Sequence, residues 1–190
     1  MAASRRTSES VTGTAGHGVA RDEEGAYLVA LGSNMRHPRI GSPRRVLTRA
    51  LDLIGEEIGE VTAISPFLET PPVGPSRRRY LNAAAIVETG QAPLAVMRAL
   101  LAIEARLGRK RLGQDWQSRV LDLDIVLWSA GPWAEDDGHT SLVLPHPVFR
   151  QRDFVLAPAR TIAGTWRDPL TGLSINQLHT RLTKPRHAPR

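Results

Sequence analysis

The stretch Val120-Leu121-Asp122-Leu123-Asp124-Ile125-Val126-Leu127 constrains the fold more than any other in this chain. Its aliphatic run, interrupted by an acid at two alternate positions, predicts a largely buried strand. Side chains alternate faces along a strand, so Leu121, Leu123, Ile125 and Leu127 are expected on one side. Asp122 and Asp124 then share the other, their Cα atoms roughly 7 Å apart. Two carboxylates on one side of an apolar strand repel each other and are costly to desolvate, so the pattern asks for a cation between them. A solvent-facing edge would produce the same alternation. The apolar Val120, Val126 and Trp128 on the acidic side favour the first reading.

A strand of this kind needs partners, and the rest of the chain supplies them in a definite order. Residues 26–31 form a short apolar run ended by Gly32-Ser33-Asn34, by default a plain turn and alone a weak phosphate-cradle signal. Ser42 and Pro43 mark a helix start, with Leu47, Ala50, Leu51, Ile54 and Ile58 on its apolar face and Gly59 at its end. Residues 61–68 read as a second strand, with Pro66 signalling an edge or a bulge. Residues 69–79 are a Pro- and Gly-rich loop, longer than a hairpin needs and of the kind that often carries function. Residues 80–88 resume as a third strand, whose Asn82 requires either a backbone group or a ligand as partner. Pro93 opens a second helix with the stripe Leu94, Met97, Leu100, Leu101 and Glu104. A carboxylate on that stripe near a helix C-terminus is disfavoured by burial and by the macrodipole. Glu104 therefore either pairs with Arg98 or Arg106 or faces a site, and the second is preferred here. Gly108 ends the helix, and residues 109–118 form a basic loop before the acidic strand.

Strand-helix-strand-strand-helix-strand is the split βαβ pattern. It predicts an α+β, ferredoxin-like fold: a four-stranded antiparallel sheet with two helices on one face. The other face, with Asn82, Asp122 and Asp124, is left open for ligand and loops. Residues 131–139 are a polar excursion, residues 142–147 a short extended piece, and two helices are expected within 148–162 and 173–182 as a C-terminal extension. One domain, residues 25–183, is expected between a disordered tail at 1–24 and a basic tail at 184–190, which suits a 190-residue chain.

No cysteine is present, which removes disulfide, zinc-thiolate and thiol chemistry and fits a reducing compartment; a cytoplasmic location is expected. Residues 1–24 lack the apolar core of a secretory signal, and no stretch approaches the roughly 18 apolar residues of a membrane span. The net charge is +6, and the cluster Arg106, Arg109, Lys110, Arg111 and Arg119 lies just before the acidic strand. It implies an anionic ligand of phosphate type. Nucleotide-binding glycine motifs, zinc-protease motifs and the nucleophile elbow are absent. An Asp-x-Asp pair with a basic cluster, and His146, Arg150 and Arg152 downstream, suits Mg²⁺ held between protein and polyphosphate.

Gly32-Ser33-Asn34, Thr70-Pro71-Pro72-Val73-Gly74-Pro75, Tyr80-Leu81-Asn82-Ala83-Ala84, Glu104, Gly108-Arg109, Trp116, Arg119, Leu121-Asp122-Leu123-Asp124-Ile125 and Pro145-His146-Pro147 follow one another along the chain. In this order they resemble the hydroxymethyl-dihydropterin pyrophosphokinases of folate biosynthesis, and the resemblance covers residues 26–182. It implies transfer of the β,γ-diphosphoryl group from ATP, as co-substrate, to the hydroxymethyl oxygen of the reduced pterin, releasing AMP. By the same resemblance Asp122 and Asp124 ligate two Mg²⁺ ions and, with Arg109 and Arg119, form the catalytic set. Arg109, Arg111, Arg119, His146 and Arg152 bind the phosphates, Trp116 closes the basic loop, and Glu104 and Ile125 lie near the nucleotide. Thr70, Pro71, Val73, Tyr80 and Asn82 line the pterin pocket, with Phe154 stacking on the ring. A monomer acting on small molecules is expected, with neither nucleic acid nor membrane as partner.

The chain departs from the family pattern in three places. Val120 stands where Thr is common, Gln117 replaces a usual Gly, and Asp153 occupies a small-residue position where it can pair with Arg152 and weaken its phosphate contact. A ferredoxin-like nucleic-acid-binding module is the competing reading. Such modules carry stacking aromatics on the central strands, where this chain has acids.

Overall fold

The computed structural model describes residues 25–71, 78–108 and 120–185. Strand β1 (Gly25–Ser33) runs past the apolar stretch at both ends because both ends keep partners, Gly25 opposite Thr89 and Ser33 opposite Leu81. It lies between β4 (Tyr80–Thr89) and β5 (Asp122–Trp128), antiparallel to each. Strand β2 (Glu60–Ile64) pairs with the far side of β4, giving the order β2-β4-β1-β5. With α1 (Pro43–Glu57) after β1 and α2 (Pro93–Arg106) after β4, this is the expected ferredoxin-like arrangement.

The predicted second strand is in fact two. β3 (Leu68–Thr70) also pairs with β4, and the break falls at Ser65-Pro66-Phe67, because Pro66 has no amide to give the ladder. Ser65 bridges the gap: its amide donates to the Ala84 carbonyl and its hydroxyl accepts from the Ala84 amide, each at 2.9 Å.

Both long helices begin at a proline, as read. The Ser42 hydroxyl makes no capping bond, so the fixed φ of Pro43 sets the start of α1. Val46, Leu47, Ala50 and Ile54 of α1 and Val96, Leu100 and Ile103 of α2 pack on Tyr27, Val29, Leu31, Ala83, Ala85 and Leu123 to form the main core. Met97 sits half-buried at its margin, and Leu101 is also half-buried.

The opposite sheet face is covered more than expected. α3 (Asp153–Ala163) and α4 (Ile175–Thr183), with Phe149, build a second core over Leu28, Ala84, Ile86, Val126 and Leu127. Among the described residues, the end of that face carrying Asn82, Asp122 and Asp124 lies beyond this core. A register shift makes Val126 an extra residue in β5: Leu28 faces Leu127, whereas Val29 faces Ile125. This bulge breaks the two-residue period. Leu127 therefore joins Val126 in the second core instead of following Ile125. Trp128 crosses to the first core, stacked on Tyr27 at 5.9 Å, and Val120 packs there too. Of the three apolar residues expected on the acidic side, only Val126 is there. The polar excursion forms half of a hairpin, β6 (Trp133–Asp136) and β7 (Ser141–Leu144). Among the described residues no helix is long and apolar enough to cross a membrane.

Candidate active site

The end of the second sheet face that lies beyond the second core is built from three adjacent strands. In the register, Gly32 of β1 lies between Asn82 of β4 and Asp122 of β5, and Ala30 lies between Ala84 and Asp124. The strand between the amide and the acids thus offers only a glycine and an alanine. A Cβ on Gly32 would come within 3.2 Å of Asn82 Oδ1 and 3.9 Å of Asp122 Cβ, so the glycine keeps the floor of the site clear.

Asn82, whose partner the sequence left open, donates from Nδ2 to Thr70 Oγ1 at 2.8 Å. β3 makes this possible by pairing in register with β4, Leu68 opposite Asn82 and Thr70 opposite Tyr80. Thr70, Tyr80 and Asn82 are thereby gathered at one edge of the site, with Pro71 exposed beside them.

On the other edge, residues 146–152 bring two basic side chains to one carboxylate oxygen. Arg152 Nη1 lies 3.4 Å and His146 Nε2 3.9 Å from Asp124 Oδ2. The Val148 amide donates to His146 Nδ1 at 3.3 Å, which leaves the proton of the neutral ring on Nε2, toward Asp124. Burial lowers the His146 pKa below its usual 6.5; Asp124 raises it and Arg152 lowers it. The Arg152 guanidinium also lies 5.7 Å over the half-buried Phe154 ring, close to the acids.

Asp153 does not pair with Arg152 as its position suggested. Its Oδ1 is 3.2 Å from His179 Nε2 of α4, leaving Arg152 to Asp124. The Gly-Ser-Asn segment is not the plain turn expected by default: Gly32 and Ser33 continue β1, opposite Asn82 and Leu81, and only Asn34 lies past the strand. Ser33 is buried and its hydroxyl donates to the Val120 carbonyl at 2.6 Å, tying the end of β1 to the start of β5.

Glu104 is 0% exposed, and its Oε1 accepts the Leu123 amide at 2.7 Å. Neither arginine offered as an ion-pair partner takes it, since Arg98 pairs with Asp137 and Arg106 with Glu57. Leu123 stands between the two acids on an edge strand. Glu104 thus satisfies a backbone donor that no neighbouring strand can reach, and it steadies β5 where the acids project. It also borders a cleft of about 440 Å³ with Arg98, Leu101, Ala102, His139 and Thr140. Ile125 has its side chain in the main core, so its edge-strand backbone is what it can offer a ligand. Val73, Arg109, Arg111, Trp116 and Arg119 lie outside the described residues.

The donor set suits a hard divalent cation. Asp122 and Asp124 present carboxylate oxygens from one face at alternate positions, with no bulk on Gly32 to block them. Among the described residues no group of three His, Cys, Asp or Glu side chains forms a metal cluster. A pair of carboxylates is the donor number expected where phosphate oxygens and water complete the coordination of Mg²⁺. Sequence reasoning missed one element of the surroundings, the buried Asp168 that grips Arg150. Its signal was the turn-forming run Asp168-Pro169-Leu170-Thr171-Gly172.

A sequence profile described as 7,8-dihydro-6-hydroxymethylpterin-pyrophosphokinase (HPPK) matches residues 28–164. The chain is 38% identical over 144 residues to the Pseudomonas aeruginosa 2-amino-4-hydroxy-6-hydroxymethyldihydropteridine pyrophosphokinase, covering 74% of this chain and 82% of that one. It is 34% identical over 119 residues to the Synechocystis protein of the same name, covering 63% of this chain and 58% of the relative. Among solved structures, wild-type Plasmodium falciparum HPPK-DHPS with SDX-DHP superposes with a TM-score of 0.68 at 13% identity, over 84% of this chain and 44% of that one. At that identity the likeness speaks for the fold, and the chain spans less than half of that protein. The match over residues 28–164 and the identity to these relatives place the chain in the 7,8-dihydro-6-hydroxymethylpterin-pyrophosphokinase family.

Proposed function

We propose that this protein transfers the β,γ-diphosphoryl group of ATP to the hydroxymethyl oxygen of 6-hydroxymethyl-7,8-dihydropterin, giving AMP and the pterin diphosphate, in folate biosynthesis. The observation that carries the reading is a single arrangement. The Asp122/Asp124 pair, with His146 and Arg152 over Asp124, faces the Asn82–Thr70 pair across one strand of small residues. One side of that floor suits a polyphosphate with its cations, the other a flat heterocycle with a donor–acceptor edge.

In this reading the pterin is held by Asn82 and Thr70, bounded by Pro71, Val73 and Tyr80, and stacked on Phe154. The phosphates are held by His146, Arg152, Arg109, Arg111 and Arg119, and Trp116 closes over them. The nucleoside end occupies the cleft bordered by Glu104 and Leu101, beside the backbone of Ile125. Asp122 and Asp124 hold two Mg²⁺ ions. Bound there, Mg²⁺ neutralises phosphate charge and polarises the phosphoryl oxygens.

The reaction needs no covalent intermediate on the protein. The hydroxymethyl oxygen forms a bond to the β-phosphorus as the bond from that phosphorus to the α,β-bridging oxygen breaks. AMP leaves with that oxygen, and the hydroxyl proton passes to solvent. The work of the side chains is to align the two substrates and to meet the charge. Arg152 rests on Asp124 and, when a triphosphate arrives, exchanges that carboxylate for phosphate oxygens, freeing Asp124 as a ligand. The test is incubation with ATP, Mg²⁺ and the pterin. AMP and pterin diphosphate are expected, and production of ADP, or no cleavage of ATP, would sink the assignment.

A further inference from the structure

The carboxylate of Asp168 is used by nothing assigned above, yet it is 0% exposed and among the most fully bonded groups in the molecule. Arg150 donates to both of its oxygens, Nε to Oδ2 at 2.7 Å and Nη2 to Oδ1 at 2.6 Å. The Thr171 hydroxyl and the Leu170 amide donate to it as well. Its own backbone closes the same turn, through Asp168 N to Leu173 O and Gly172 N to Asp168 O. The carboxylate therefore points one way, and Arg150 meets it fork to fork, a geometry that fixes orientation as well as distance.

Arg150 is the centre of a short turn bonded to itself. The Phe149 amide donates to His146 O, that of Gln151 to Val148 O, and that of Arg152 to Phe149 O. Phe149 anchors the turn in the second core, and the Arg150 guanidinium lies 4.7 Å over its ring. On its opposite side the turn is tied to β5 by His146 N donating to Val126 O at 3.0 Å. The two side chains that reach Asp124, His146 and Arg152, flank Arg150 on this turn. A tightly bonded turn of this size moves as one piece, so a shift of Arg150 moves both.

We propose that the Asp168–Arg150 pair positions the phosphate-facing side of the site, holding the 146–152 turn so that His146 and Arg152 stand over Asp124. The inference rests on the reading that these two side chains meet the ATP phosphates. Asp168 and Arg150 are positioning residues, since neither reaches the reacting atoms. The Asn82–Thr70 edge belongs to β3 and β4 and is not held by this pair, and Phe154 packs on the second core. The two substrates should therefore respond differently to its loss.

The experiment compares the wild type with D168N, which keeps the shape and loses the charge. R150K is the milder second variant, which keeps the charge and loses the fork. Each is studied well below its own unfolding midpoint. In both variants the Kd for a non-hydrolysable ATP analogue with Mg²⁺, measured by calorimetry, is expected to rise about tenfold, as for other supporting partners of a ligand shell. KM for ATP should rise with it, while KM for the pterin at saturating ATP stays at the wild-type value. If D168N does not fold, R150K supplies the same comparison. Unchanged analogue affinity in the folded variants, or an equal loss toward both substrates, would overturn the proposal and leave the pair a purely structural tie. Wild-type protein that fails to bind the analogue would instead overturn the phosphate reading, and this inference with it.

Discussion

Asp124 is the residue on which most of the site converges. It shares a face with Asp122 on β5, and Arg152 and His146 meet one of its oxygens from the turn before α3. Replacing it by Asn keeps the volume but removes the charge that both a cation and Arg152 require. D124N is therefore expected to lower kcat at least about a hundredfold, with the circular dichroism spectrum unchanged. Near-normal turnover would refute the proposed metal-binding role of Asp124. The acids and Asn82 stood out locally as polar residues in apolar strands, and His146 and Arg152 as basic residues downstream of the acids, whereas Thr70 entered only through the resemblance to the pyrophosphokinases. The partners that hold them were not legible. That Glu104 would spend its carboxylate on the Leu123 amide depends on where the end of α2 meets the edge of the sheet. That Asp153 would turn to His179 depends on α4, twenty-odd residues away in sequence.

Among the elements, those with a strong local cause were read most closely. Proline starts both long helices, and the alternation through Leu123 and Ile125 holds as far as the bulge. The bulge at Val126 was not readable, because an extra residue in an apolar run changes no residue type, only which face each side chain takes. The split between β2 and β3 was half readable. Pro66 announced an irregularity, whereas the continued pairing of Leu68–Thr70 with β4 needed the partner strand. Gly59 reads as a helix terminator, and the structure adds a stronger reason. A Cβ there would stand 2.2 Å from the Glu88 carbonyl oxygen, so the glycine lets the α1–β2 connection lie against β4. G59A should destabilise the fold by roughly 1–3 kcal/mol in chemical denaturation, as overpacked sites do. G90A, where the added carbon would meet nothing within 4 Å, is the matched control and should be close to neutral. Equal midpoints for the two variants would refute the close-approach argument.

At the scale of the whole molecule, the C-terminal extension does more than add helices. α3 and α4 close part of the second sheet face, and the Asp168–Arg150 tie joins the turn before α3 to the connection between α3 and α4. Burial raises the Asp168 pKa, but hydrogen bonds from Arg150, Thr171 and Leu170 outweigh it and hold the carboxyl below 3.8. A depressed carboxyl pKa stabilises the fold above the unfolded value of 3.8, and that contribution is lost as pH falls through the lower folded value. The stability advantage of the wild type over D168N, measured by urea denaturation, should therefore be full near neutrality and shrink below about pH 4. An advantage that stays constant down to the acid limit would contradict the ionised pair.

The strand-helix-strand-strand-helix-strand succession of the core, the acids on one strand and the amide on another were written in local residue order, because period, proline and turn chemistry act over a few neighbouring residues. The open floor that Gly32 leaves between Asn82 and Asp122, the meeting of His146 and Arg152 at Asp124, and the grip of Asp168 on the turn between them came from tertiary packing. Those contacts join residues far apart in the chain. They come into being only when burial of the two cores sets the sheet register and closes the extension over it.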